Sequence, residues 1–383
     1  MKTDTIKGFK DFTGKEAEKR AVIQEVVKQS FEKYGFEPAE TPVIENEDFV
    51  RGDNKNDEAV SDIYTLKDNG KRKLALRYEF TFQLKRLMKN KKIPYKRFQI
   101  GPVFRDEPVK GNRLRQFTTC EADILGSTIK DESEMIACIS DILNKLKINA
   151  IIYINNRKLL NEILKEFNTK DNEKVIREID KLDKLSEKEV KENLKKLNCE
   201  GVLSILKKPE SYFEKYESYS EIKELKKYLS YYKIKCVFLP SLARGLSYYN
   251  GSVFEIKTKK IKETICGGGA YEFEGVRGFG FGTSIDRLST VTEMLVSFDK
   301  TLVVSLNQDK KAIEIAQKLR KAGKIITLYY GKPSKALDYA NSYGFSKVIF
   351  IGKREIEKKK LKIKNMNTGK ELNIEINKIE KKI

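Results

Sequence analysis

Four arginines, Arg105, Arg113, Arg244 and Arg287, lie in stretches of this chain that also carry acids, aromatics and glycines. Fixed cations of this kind suit phosphoryl or nucleotidyl transfer, where the pentavalent transition state is anionic, and carboxylates alongside them can hold ammonium or other amino groups. When the attacking group is itself a carboxylate, no general base is obligatory. The 383 residues include no histidine. That excludes histidine-dependent nucleophile triads, histidine general bases and histidine-ligated metal sites. Catalysis must rest on arginine, lysine, tyrosine, carboxylates or a carried metal. Tryptophan is also absent, so a general compositional skew stands beside a functional cause.

These residues need elements to position them. The richest stretch runs from Arg97 to Gly126 and reads as two strands joined by the polar turn Lys110-Gly111-Asn112-Arg113. Strand side chains alternate between faces. Arg105 and Glu107 then share one face, and Arg115, Phe117, Thr119, Glu121 and Asp123 share one on the return strand, with Leu114, Cys120, Ala122 and Ile124 opposite. Taken alone, the stretch also fits a solvated charged hairpin. A second signal, Leu242 to Ile256, joins Arg244 and the pair Tyr248-Tyr249 to the strand Ser252–Ile256. A third runs from Cys266 to Leu288. Gly267, Gly268 and Gly269 leave room for a ligand or a backbone, and Gly278, Gly280 and Gly282 alternate with Phe279 and Phe281 in a strand. A helix starts near Ser284, placing Arg287 in its first turn, where the helix dipole disfavours a cation and an anion would relieve it.

Around these signals the order of elements predicts an α+β catalytic core built on an antiparallel sheet with flanking helices, a helical insertion domain and a C-terminal α/β domain. Lys15–Tyr34 is an amphipathic helix, 62–66 and 73–78 pair as strands ending at Arg77 and Glu79, and Thr81–Lys89 is a helix. The boundaries are 1–154 for the first part of the core, 155–233 for the insertion, 234–298 for the second part of the core and 299–383 for the C-terminal domain. The last alternates strand and helix, implying a mainly parallel sheet. The net charge of +21 favours a polyanionic partner, nucleic acid first, although an AT-rich genome would also enrich lysine. Five scattered cysteines form no metal-type pair and fit reduced thiols. No apolar run reaches the roughly 20 residues that span a bilayer, and the start lacks a signal peptide's apolar core; a cytoplasmic, membrane-free protein is expected.

The motifs FRDEPVKGNRLRQF, GFGFGTSIDRL, LARGLSYYNGSVFE and GGAYE, with KGFKDF and ALRYEFT before them, resemble in order those of the class II aminoacyl-tRNA synthetases, and within them the histidyl-tRNA synthetases. The resemblance covers essentially the whole chain. It implies activation of histidine by ATP and transfer to the 3′ end of tRNA(His), with ATP as substrate carrying its Mg2+, no protein-bound zinc, and a homodimer packed partly through the segment of Pro42. It assigns Arg105 to the α-phosphate, Glu107 to the adenine amino group, Phe117 and Arg287 to the adenine faces and Arg113 to the outer phosphates. Glu79 and Thr81 bind the histidine α-amino group, and Arg244 meets the carboxylate and α-phosphate. Asp123 and Tyr249 read the imidazole, and Thr119, Tyr248 and Tyr271 complete the histidine pocket. Four positions depart from the family pattern: Thr119 for a glutamine that reaches the amino group, Ser247 for an aspartate, Ala270 for an arginine and Ser284 for a glycine. Two other readings are a non-catalytic synthetase-like paralogue acting as a regulatory or sensing subunit, and an RNA-binding module using only the basic surface.

Overall fold

The computed structural model describes residues 3–52, 60, 62–109, 113–167, 169, 171–244, 248–296 and 298–381. They form two compact units, Met1–Met294 and Leu295–Ile383.

The first unit is organised on an eight-stranded sheet. Its strands, in chain order, are β1 (Glu37–Pro38), β2 (Ile44–Asn46), β3 (Thr65–Lys67), β4 (Lys73–Leu76), β5 (Tyr95–Phe104), β6 (Gln116–Leu125), β7 (Ile151–Asn156), β8 (Cys236–Phe238), β9 (Tyr249–Lys257), β10 (Cys266–Phe273) and β11 (Val276–Ser284). The main sheet runs β1-β5-β6-β11-β10-β9-β7-β8, and β2-β4-β3 form a separate small sheet. All inner pairings of the main sheet are antiparallel, with parallel pairs only at its two edges.

One face of the main sheet is apolar because the strands alternate. Cys120, Ala122 and Ile124 of β6, Phe279 and Phe281 of β11, and Phe254 and Ile256 of β9 are buried with Ile23, Val27 and Phe31 of the helix Gly14–Lys33 and with the helix Ile129–Lys145. The latter begins where the Asp131 carboxylate accepts the Thr128 backbone N–H at 2.8 Å, a capping box that satisfies an otherwise orphaned donor. Between β7 and β8 the chain is helical, with helices starting at the caps Asn156, Asp171 and Ser186. Their apolar faces, including Leu160, Ile163, Ile176 and Leu194, belong to the same buried cluster as the sheet.

Local structure departs from the sequence reading in two places that matter for the site. The expected helix over Thr81–Lys89 shrinks to Leu84–Leu87, and β4 stops at Leu76, leaving Arg77 and Glu79 outside it. The backbone there is held by side chains from the sheet: Glu121 Oε2 accepts the Phe80 N–H at 2.8 Å and Arg97 Nη2 donates to the Phe80 carbonyl at 2.8 Å. Likewise β5 ends at Phe104, so Arg105 and Glu107 sit in a loop rather than on a strand face. The Arg115 N–H is taken by the Gly8 carbonyl at 2.8 Å. The turn expected at 110–112 lies outside the described residues.

The second unit carries β12 (Lys300–Ser305), β13 (Ile325–Tyr330), β14 (Lys347–Ile351), β15 (Lys360–Asn365) and β16 (Glu371–Glu375), in the order β13-β12-β14-β15-β16. The first three strands are parallel and the last two antiparallel. Helices Asp309–Lys321 and Pro333–Ser342 bury Ile315, Leu319, Ala336 and Ala340 in two apolar clusters of this unit. No helix among the described residues is long and apolar enough to cross a membrane.

Candidate active site

The polar face of β6, β10 and β11 opens into a cleft. All thirteen residues singled out from the sequence line it: Glu79, Thr81, Arg105, Glu107, Arg113, Phe117, Thr119, Asp123, Arg244, Tyr248, Tyr249, Tyr271 and Arg287. Glycine alternation makes the space. A Cβ on Gly280 would stand 2.1 Å from Asp123 Oδ1, one on Gly278 2.4 Å from Tyr271 Cε2, and one on Gly267 2.6 Å from Arg244 Nη1. Gly268 instead admits backbone, since its Cβ would fall 2.0 Å from the Gly280 carbonyl.

The outer part of the cleft is cationic. Arg105 donates from Nε and Nη2 to the Tyr78 carbonyl at 3.2 Å, and its guanidinium lies 5.3 Å from the Phe117 ring centre. Arg113 pairs with Glu107. Arg287 donates to the Thr264 carbonyl at 2.7 Å, and its own N–H donates to Ser284 Oγ at 3.1 Å. Ser284 thus caps the helix Ile285–Val291, which gives that departure from the family pattern a local reason. Burial pushes Arg287 down from its ordinary value, and the neighbouring Arg105 and Arg113 charges push it further. Three guanidinium groups facing one space favour an anion between them.

Arg244 closes the opposite side. Its Nη1 lies 2.6 Å from Glu255 Oε1. Burial opposes its charge, but Tyr249 and Glu255 together hold its pKa above the ordinary arginine value. A cation fixed this firmly reorganises little when charge develops beside it.

The floor is acidic. Asp123 Oδ2 meets Arg97 Nη2 at 2.7 Å and Asp123 Oδ1 accepts the Tyr271 hydroxyl at 2.6 Å. Burial still pushes its carboxyl upward against the pull of Arg97. Glu79, buried and beside Glu121, is pushed up to about 8, first by burial and then by that neighbouring acid, with Arg105 opposing. The Tyr248 and Tyr249 rings stand 4.7 Å apart, and Tyr248 meets Tyr271 edge-on at 6.0 Å.

Arg115, expected on the same face as Phe117, turns away. It pairs with Asp106 at 3.1 Å and packs its stem under Gly8. Ala270 points into the apolar cluster on the other face of the sheet, and Ser247 lies outside the described residues. Two acids that the candidate set omits also line the cleft, Glu121 and Asp286, and the buried Arg97 lies directly behind. Strand alternation already puts Glu121 with Thr119 and Asp123, and Arg97 pairs directly across from Asp123 in the β5–β6 register. Asp286 is bound by Arg20 at 2.7 Å and accepts the Thr118 N–H at 3.2 Å; this long-range clamp leaves no local pattern.

A family model described as "Histidyl-tRNA synthetase" matches residues 8–288, and one described as "Anticodon binding domain" matches 300–383. This chain belongs to the histidyl-tRNA synthetase family. Histidine--tRNA ligase 1 of Bacillus cereus is 31% identical over 423 aligned positions, covering 100% of this chain and 99% of its own length. The histidyl-tRNA synthetase family is one of aminoacyl-tRNA ligases, which use ATP. The crystal structure of histidyl-tRNA synthetase from Nostoc sp. PCC 7120 shares the fold over 100% of both chains, with a TM-score of 0.85 at 22% identity. A Bacillus halodurans structure described as an ATP phosphoribosyltransferase regulatory subunit/histidyl-tRNA synthetase shares it over 91% of this chain and 98% of its own, with a TM-score of 0.77 at 20% identity. Fold alone therefore does not separate a synthetase from a regulatory relative. The anticodon-binding match and the whole-length likeness to histidine–tRNA ligases favour the synthetase.

Proposed function

We propose that the cleft binds histidine and ATP side by side and joins them, and that the histidyl group then passes to the 3′ end of tRNA(His). A histidine carboxylate oxygen attacks the α-phosphorus, the bond from that phosphorus to the pyrophosphate oxygen breaks, and histidyl-adenylate and pyrophosphate result. No proton has to be removed from the nucleophile, which suits a site without histidine. Arg105 and Arg244 flank the reacting phosphate, Arg244 also meeting the carboxylate. Phe117 and Arg287 take the two faces of adenine, Glu107 its amino group, and Arg113 the outer phosphates. Mg2+ enters with ATP as part of the substrate. On the acidic floor, Glu79 and Thr81 receive the α-ammonium, while Asp123 and Tyr249 contact the imidazole within a pocket finished by Tyr248 and Tyr271. A carboxylate has about four lone-pair sites, so Asp123 can keep Arg97 and Tyr271 and still accept an imidazole N–H.

The observation that carries this reading is the division of one cleft into cationic walls, Arg105 and Arg287 on one side and Arg244 on the other, and an acidic floor built from Glu79 and Asp123. An ATP phosphate chain and an amino-acid ammonium need those two environments within one molecule's reach. The test is histidine-dependent exchange of pyrophosphate into ATP. Wild type should exchange only when histidine is supplied, and Arg244→Ala should lower the rate by about 10²–10³-fold while leaving tRNA affinity nearly unchanged. Absence of exchange with tRNA binding intact would sink the reading in favour of a regulatory or purely RNA-binding protein.

In the same reading the second unit holds the anticodon region of the tRNA, and the chain works as a cytoplasmic homodimer with the Pro42 segment at its interface. That segment is fastened to the core by Arg77, which donates to the Thr41 carbonyl at 2.6 Å. A single-chain mass in sedimentation at working concentration would contradict the dimer.

A further inference from the structure

Resting on the proposed reading of the cleft, one acid in its floor has no assigned role. Glu121 is only 6% exposed, yet it lines the cleft between Thr119 and Asp123. Its two oxygens are fixed from opposite sides. Oε2 accepts the Phe80 N–H at 2.8 Å, in the middle of the Glu79–Thr81 segment, and Oε1 lies 3.2 Å from the Thr119 hydroxyl. We propose that Glu121 is a substrate-binding residue that receives the α-ammonium of histidine together with Glu79, and that Thr119 acts on the substrate only by positioning Glu121.

Charge balance argues for this. Three buried acids, Glu79, Glu121 and Asp123, share the floor with one fully buried arginine, Arg97. Arg97 Nη2 meets Asp123 Oδ2 at 2.7 Å and the Phe80 carbonyl at 2.8 Å, while its Nε and Nη1 make no hydrogen bond among the described residues. Arg105, the next cation, is turned to the Tyr78 carbonyl and the Phe117 ring. The three carboxyls of the floor therefore outnumber the two arginines, Arg97 and Arg105, whose charges act on Glu79 and Glu121. Burial moves both carboxyls upward, Glu79 to about 8. If Glu121 served only to hold the Phe80 N–H, a neutral amide would do so with less desolvation. A buried carboxylate in contact with a ligand space asks for a cation, and an incoming ammonium supplies it.

Thr119 is short, and its hydroxyl is already engaged by Glu121 and by the Thr283 carbonyl at 3.1 Å. It can orient the acid beside it without touching the substrate. The segment that carries Glu79 and Thr81 hangs on the same carboxylate, so Glu121 links all the groups proposed to meet the ammonium.

The experiment uses the full chain and two probes: histidine, through its KM in pyrophosphate exchange, and imidazolepropionate, which is histidine without its amino group, through its inhibition constant. Glu121→Gln keeps an acceptor for the Phe80 N–H and removes the charge. It should raise the KM for histidine about tenfold to a hundredfold, the range of a charge-assisted hydrogen bond, while the imidazolepropionate constant and the KM for ATP stay within about twofold. Thr119→Val should raise the histidine KM a few-fold, and that effect should vanish in the Glu121→Gln background, as expected of residues acting as one unit. Equal weakening of histidine and imidazolepropionate would show a structural role and overturn the proposal, as would an unchanged histidine KM. If Glu121→Gln fails to melt cooperatively, Thr119→Val alone decides between selective and uniform loss. Wild type lacking histidine-dependent exchange would fell the parent reading; wild type exchanging while Glu121→Gln keeps its KM would fell only this inference.

Discussion

The cleft of the first unit and the basic surface of the second carry charge in opposite ways. In the cleft the charges are few, enclosed and individually fixed: Arg97 and Asp123 are almost wholly buried, and Arg244 is pinned by Glu255. The second unit has more than two basic residues for each acid, and most of them, such as Lys353, Arg354, Lys358, Lys359 and Lys360, are exposed. Enclosed charges interact strongly with each other and with a bound ligand, because little water screens them. Exposed ones act collectively, and salt weakens them. Geometry should therefore decide what a substitution does in the cleft, and charge count should decide it on the basic surface.

The largest effect should come from adding a methyl group where the cleft has no room. Gly280→Ala would put a Cβ 2.1 Å from Asp123 Oδ1 and 3.2 Å from Tyr271 Cε1, whereas Gly282→Ala meets Glu121 Cγ at an ordinary 3.4 Å. Overpacking of the first kind typically destabilises by about 1–3 kcal/mol, and here it also displaces the Asp123–Tyr271 hydrogen bond. Gly280→Ala should lower the thermal midpoint and nearly abolish histidine-dependent exchange, while Gly282→Ala keeps the midpoint. Equal tolerance of both would mean that the glycine alternation is not what opens the site.

Much of this cleft is legible in the sequence, because a strand's two-residue period assigns faces directly. Phe117, Thr119, Glu121 and Asp123 on one side of β6, with Cys120, Ala122 and Ile124 on the other, follow from alternation alone. The reading failed where backbone hydrogen bonds are settled by distant chain. Arg115 leaves the cleft face because Gly8 takes its N–H, and the helix expected from Thr81 is cut short because Glu121 and Arg97 hold Phe80. Nothing within a few residues of those positions encodes either event. The insertion helices are legible through apolar residues such as Leu160, Ile163, Ile176 and Ile179 at spacings of three and four, but that their apolar faces join the sheet's own cluster is not, since periodicity shows that a face is buried and not against what.

A smaller effect concerns protons on the acidic floor. Burial and the neighbouring Glu121 raise Glu79 to about 8 from an ordinary value of 4.5, and Glu121 moves the same way. Between those values the folded chain binds more protons than the unfolded one, so stability should fall as pH rises through roughly 5 to 8. Glu79→Gln removes that residue's share of the difference and should flatten the dependence. Bound histidine should flatten it too, because its ammonium favours the ionised carboxylates. Denaturant midpoints across this pH range, with and without histidine, measure both. A dependence unchanged by either would contradict the upward shift of Glu79.

The smallest effects belong to the basic surface, and there they should be graded. On β15, Lys360, Lys362 and Lys364 alternate with the inward Leu361 and Ile363. They form one face of a strand whose other face is core, so replacing them leaves packing intact. Lys362 is paired with Glu371 at 2.9 Å, and releasing it for a phosphate has to break that pair, so it should contribute less than Lys360. Each lysine that neutralises a tRNA phosphate releases counterions, giving a slope in log affinity against log salt of about 0.7–0.9 per contact. Lys360→Ala should therefore weaken tRNA binding a few-fold and reduce that slope by nearly one contact. Lys362→Ala should do so by less, and neither should alter histidine-dependent exchange. A loss of exchange from Lys360→Ala would erase the contrast between the two regions, because it would make a solvent-screened charge behave like one enclosed in the cleft.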